Sequence, residues 1–119
     1  MTTPAPAAIG VIQAGALATP GRVTTATITL SQPVGKGDLL VGWFAQYDAT
    51  GQVQVSDNVN GAWTRASVST TFSSGTGDIA LYYVQNSAAA PFGLTITITA
   101  SSATYLEAVA GDYNGAATT

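Results

Sequence analysis

The 119-residue chain has no histidine and no cysteine, and it holds one lysine, two arginines and one glutamate. Without His or Cys the common nucleophile–base pairs cannot be built, and disulfide and thiol chemistry are excluded. Three cations, Arg22, Lys36 and Arg65, leave almost nothing to neutralise phosphates, so nucleic-acid binding is not expected. No apolar run approaches the roughly 20 residues that a spanning helix requires, and membrane insertion is not expected. The opening Met1-Thr2-Thr3-Pro4-Ala5-Pro6 lacks the basic and apolar regions of a secretory signal peptide. Charged residues are 8% of the chain, against about 25% in an ordinary globular domain. Disorder does not follow, because apolar residues reach 46% and the net charge is only -3. A folded surface with so little charge has weak colloidal repulsion, which favours coverage by copies or partners.

What is present is threonine and serine, eighteen and nine residues, largely alternating with aliphatics. In Leu94-Thr95-Ile96-Thr97-Ile98-Thr99 the aliphatics fall on one side of a strand and the hydroxyls on the other, since side chains repeat every two residues. Eight segments read as strands: 9–16, 23–30, 39–47, 52–56, 63–72, 79–84, 94–100 and 105–113. No stretch has helical periodicity, and turn signals recur about every 12 residues, as in a β-sandwich. The turns fall at Pro20-Gly21, Pro33 to Asp38, Thr50-Gly51, Asn60-Gly61, Ser74 to Gly77 and Pro91-Phe92-Gly93. Asn60-Gly61 is the strongest hairpin signal, because both residues accept the positive φ of a type I′ turn. The expected fold is all-β: a two-sheet antiparallel β-sandwich of about eight strands, jelly roll or Greek key. Residues 9–119 form its single domain and residues 1–8 an extended, Pro- and Ala-rich arm able to lie along a neighbour.

Two strands break the alternation. Leu39-Leu40-Val41-Gly42-Trp43-Phe44-Ala45 and Ile79-Ala80-Leu81-Tyr82-Tyr83-Val84 place large side chains on both faces. A strand in a two-layer sandwich has one outer face, so a loop, another strand or another subunit must cover it.

Further motifs are Gly37-Asp38-Leu39-Leu40-Val41, the run Val55 to Thr64, Ala80 to Asn86, Leu94 to Ile98 and Gly111-Asp112-Tyr113-Asn114-Gly115. In order and spacing they resemble a β-sandwich module of bacterial secreted and cell-surface proteins and of phage-like structural proteins. The resemblance spans Val11 to Gly115 and implies fold rather than activity, because such modules share core and turn residues, not a site. Modules of this type usually continue into further strands, whereas this chain stops at Thr119. An unpaired sheet edge would recruit strands from neighbours.

The candidate interface or ligand-binding residues are the aromatics Trp43, Phe44, Trp63, Tyr82, Tyr83, Tyr105 and Tyr113. Trp63, beside the Asn60-Gly61 turn, is expected in the core, although an exposed indole there would stack on a sugar ring. Asp57-Asn58-Val59-Asn60-Gly61 reads as a turn; calcium is the weaker reading, since the oxygens lack the spacing of the calcium-loop motif. No other cofactor is expected. Glycoside hydrolysis needs two carboxylates about 5–10 Å apart in a cleft. Asp48, Asp57, Asp78 and Asp112 read as turn caps, and Glu107 as either buried or outward. Lys36, between two glycines, is poorly placed for an isopeptide crosslink. Threonines 25, 27, 29 and 95, 97, 99 space hydroxyls about 6.7 Å apart, as on ice-binding surfaces, but β-propensity explains the same pattern.

The chain is therefore expected to be no enzyme. The expected function is a structural or adhesive module that self-assembles on an outer surface (cell surface, extracellular fibre or virion) through strand edges and apolar faces. A carbohydrate-binding module using exposed aromatics on surface or matrix glycans is the alternative.

Overall fold

Alternation in the sequence becomes the two faces of strands in the computed structural model, which describes residues 10–72 and 76–115. Leu94, Ile96 and Ile98 are buried while Thr95, Thr97 and Thr99 face the other way. Nine strands form among the described residues: β1 (Gly10–Ala18), β2 (Val23–Leu30), β3 (Leu39–Gln46), β4 (Gln54–Asp57), β5 (Gly61–Ala62), β6 (Thr64–Phe72), β7 (Gly77–Val84), β8 (Leu94–Thr104) and β9 (Leu106–Asn114). They make two antiparallel sheets, ordered β1-β9-β3-β7-β6 and β2-β8-β4-β5. Pairing is nested: β4 with β5, β3 with β7, β2 with β8 and β1 with β9. The chain is thus one long hairpin rolled up from its middle, with β6 added beside β7. That connectivity makes the sandwich a jelly roll.

The eight expected strands are all present, β2 with the expected bounds, and β5 is additional. The hairpin at Asn60-Gly61 forms, but not with a type I′ turn. Asp57 pairs with Gly61 across a three-residue loop, and of the turn residues only Gly61 has positive φ, 78°. The reason is Asp57, whose Oδ1 accepts the Val59 and Asn60 backbone N–H groups at 2.7 and 2.6 Å and bends the chain one residue earlier. The arm at residues 1–8 lies outside the described residues.

The core is centred on Phe44, which has no exposed surface and meets Trp63 and Tyr82 edge-on at 5.6 Å each. Ile28, Leu30, Leu40, Val55, Leu94, Ile96, Ile98 and Leu106 fill the remaining space between the sheets. Polar ends of the aromatics are satisfied: Trp63 Nε1 donates to Asp57 Oδ2 at 2.8 Å, and the Tyr82 hydroxyl donates to the Val53 carbonyl at 2.7 Å. Phe44, Trp63 and Tyr82 are therefore core residues and offer no surface to a partner or ligand. Parity on β3 and β7 points Phe44 and Tyr82 inward, and Trp63, between β5 and β6, is buried against Phe44, so as candidate surface aromatics the three are corrected here. Trp63 occupies the core position expected of it.

Candidate functional site

The outer face of the five-stranded sheet is assembled by strand register. Ala16 of β1, Val109 of β9, Trp43 of β3 and Leu81 of β7 stand opposite one another in one row. Ala14, Gly111, Val41, Tyr83 and Thr64 form the next row, and Ala18, Glu107, Ala45 and Ile79 the row on the other side. Nearly all of these are apolar. At its centre Trp43 is 39% exposed and Val109 50%. Among the described residues there is no third layer over this face. The two strands that looked apolar on both sides, β3 and β7, supply its middle.

Small side chains on β1 leave a shallow depression of about 580 Å³, walled by Trp43, Tyr47, Ile79, Glu107 and Val109. A smaller hollow of about 160 Å³, bordered by Val41, Leu81 and Tyr113, lies beyond the Trp43–Val109 ridge and shares both residues. One carboxylate, Glu107, borders the depression, and the Tyr47 hydroxyl donates a hydrogen bond to it. That bond, followed by partial burial, holds the Tyr47 phenol above its ordinary pKa.

The seven aromatic candidates separate into three places. Trp43, Tyr83 and Tyr113 share the outer face, the two tyrosines half-buried. Phe44, Trp63 and Tyr82 lie in the core. Tyr105 sits between β8 and β9 with the Arg22 guanidinium 5.1 Å over its ring. Tyr47 and Val109 were missed. Tyr47 follows Trp43 by four residues and so has its parity, which was a usable signal.

Carboxylates read as turn caps have more varied work. Asp57 is one: besides the two backbone donors, its Oδ2 accepts from Asn60 Nδ2 and Trp63 Nε1. Calcium at this loop would have to displace those donors. Asp48 accepts from Arg22 Nε at 2.9 Å and from the Thr104 hydroxyl at 2.6 Å, and these contacts, Arg22 first, hold it below the usual carboxylate range. Asp78 is not a cap but a buried member of β7, paired with Arg65 through bonds of 2.8 and 2.9 Å. Asp112 is not a cap either: it lies inside β9 with no exposed surface, beside Asp38. Of the two placements open to Glu107, buried or outward, the structure has the outward one. Asp38, in the turn before β3, is buried like Asp112. Lys36 is exposed on its loop. Among the described residues no three Asp, Glu, His or Cys side chains gather to hold a metal ion.

On the opposite side of the molecule the outer face of the four-stranded sheet is hydroxylic. Thr25 stands opposite Thr99, Thr27 opposite Thr97 and Thr29 opposite Thr95, continued by Gln54 and Ser56 of β4.

No family model and no curated protein matches the chain. Among solved structures, a Bacillus licheniformis lipase crystallised in propeptide form aligns with 88% of this chain and 23% of that one, at 12% identity and a TM-score of 0.46.

Proposed function

We propose that this chain is a non-enzymatic structural or adhesive module of an outer surface, and that it associates with copies of itself through the outer face of the five-stranded sheet. The observation that carries the reading is the half-exposed Trp43–Val109 pair, at the centre of a face whose rows are apolar on either side. Sheets stack face to face about 10 Å apart, so a copy's equivalent face supplies the layer that β3 and β7 lack. A second copy suits this surface because both partners are nearly uncharged there. Glu107 is at the border and already engaged by Tyr47, so little polar desolvation opposes contact. Contiguous apolar patches of this kind mark interaction surfaces.

Light scattering on wild type and Trp43→Lys tests the reading. Wild type is expected to give oligomers that grow with concentration, and Trp43→Lys to give monomer with a nearly unchanged melting temperature, because residue 43 does not contribute to the core. A wild-type chain that stays monomeric to millimolar concentration refutes it. The depression walled by Trp43 and Tyr47 favours one other reading, a sugar-binding surface. Retention on an insoluble polysaccharide that Trp43→Ala abolishes, with no change in mass of the soluble species, would establish that reading in its place.

A further inference from the structure

Asp38 and Asp112 meet where β1, β3, β9 and the loop preceding β3 converge. Asp112 lies on β9 opposite Gln13 of β1 and Leu40 of β3; it has no exposed surface, and Asp38 is 8% exposed. Each carboxylate has one oxygen engaged. Asp112 Oδ2 accepts from Gln13 Nε2 at 3.1 Å, and Asp38 Oδ2 accepts from the Gly35 backbone N–H at 3.0 Å. Gln13 cannot turn to give more, because its amide also donates to the Gln32 carbonyl at 2.8 Å and accepts from the Gln32 N–H at 3.0 Å. Among the described residues Asp112 Oδ1 is left buried with no donor.

Among the described residues no positive charge faces the pair. β1 presents Gln13, the segment after β2 presents Gln32, and β3 presents Leu40. The loop after β7 brings Ser87, which bonds only the backbone of Gly37 and Asp38 there. Lys36 is exposed and in no ion pair among the described residues; Glu107, the other acid of β9, is on the outer face. Two carboxylates in contact without a cation repel strongly in a buried setting, and an unpartnered buried oxygen adds its own penalty. One proton held between them removes both costs.

We propose that Asp38 and Asp112 share a proton, the acid of one donating to the carboxylate of the other, and that this pair is a pH-sensitive latch tying β1, β3 and β9 together. The shared proton supplies the donor that Asp112 Oδ1 lacks, using only groups already in place. Burial first, then the contact with Asp38, push the Asp112 carboxyl up to about 6, with the Gln13 amide pulling the other way. Because the folded value lies above the unfolded one of 3.8, the folded chain keeps a proton that the unfolded chain has released. The contribution is complete below the unfolded value and is lost as pH rises through about 6.

Melting temperatures measured from ~pH 5 to ~pH 8 test this in wild type, Asp112→Asn and Asp38→Asn. Wild type is expected to lose several degrees over the range. Asp112→Asn, whose amide donates without titrating, is expected to lose that slope and to melt above wild type at the alkaline end. Asp38→Asn should act likewise from the other side, so failure of one variant to fold leaves the other to decide. Infrared spectra of wild type should show a buried protonated C=O stretch at the acid end that disappears at the alkaline end. A flat or rising wild-type melting curve, a slope unchanged in the Asn variants, or no such band overturns the proposal. So does stabilisation of wild type, but not of Asp112→Asn, by calcium chloride at the alkaline end, since a cation rather than a proton would then bridge the pair.

Discussion

Asp57 shows how much one short side chain organises here. Its two oxygens take four N–H donors, two from the turn backbone, one from Asn60 and one from the indole of Trp63, so it joins the β4–β5 turn to the centre of the core. Asn60 carries the connection onward, donating to the Ser87 hydroxyl at 3.0 Å and accepting from the Ala88 N–H at 3.0 Å. Trp63→Ala is expected to cost about 3–5 kcal/mol, from lost burial and from the cavity beside Phe44. Asp57→Ala is expected to cost about 1–3 kcal/mol for each donor that it leaves buried and unpaired, the indole N–H foremost. Urea titrations of both variants check the two figures. A Trp63→Ala chain as stable as wild type would remove the indole from the core. The turn was legible from Asp57 to Gly61 in the sequence, because Asx side chains bond the backbone two and three residues on. The indole contact was not, since it depends on where β4 and Trp63 stand across the hairpin.

Among elements, β6 is an edge strand whose register against β7 shifts between Arg65 and Ser69. What fastens it is Arg65, bonded to both oxygens of Asp78, donating to the Tyr82 hydroxyl at 2.8 Å and lying 5.5 Å over that ring. The Asp78 hydrogen bond is the main cause that raises the Arg65 pKa further. Asp78→Ala is expected to cost about 3–5 kcal/mol, since it leaves a largely buried guanidinium without its anion. Amide exchange should then quicken in β6 before β3 or β9, and uniform quickening across the sheet would show that the pair does not act locally. Strands such as β2 and β8 were readable because threonine and aliphatic residues alternate without interruption. The two residues of β5, Gly61 and Ala62, carry no such pattern. Neither did the sequence disclose the meeting of Asp38 with Asp112: they are far apart in the chain, and only the nesting of β9 between β1 and β3 brings them together. The doubly apolar character of β3 and β7, by contrast, was plain from Trp43-Phe44 and Tyr82-Tyr83, and it marked the uncovered face.

For the whole molecule, scarcity of charge sets the response to pH. The net charge of -3 vanishes near pH 4.2, where repulsion between copies is least. Turbidity is expected to peak near that pH in wild type and to fall in Trp43→Lys, which removes the apolar contact as well as adding charge; equal turbidity in both would divorce precipitation from the sheet face. The Arg22–Asp48 pair works in the opposite sense to the buried acid pair. With its folded pKa below 3.8, Asp48 stabilises the fold above that value and ceases to do so as pH falls. The rolled-up hairpin has a further consequence, for synthesis. Gly10 pairs with Asn114, so the first described strand has no in-sheet partner until the last has left the ribosome. At ~5–20 residues per second that wait is about 5–20 s. During it Gly10–Ala18, an uncharged strand, stands with its backbone unpaired, exposed to any other nascent copy within reach. Neighbouring ribosomes on one message would bring such copies together, and spacing their output, by slow codons or an early-binding chaperone, should raise the yield of correctly rolled chains.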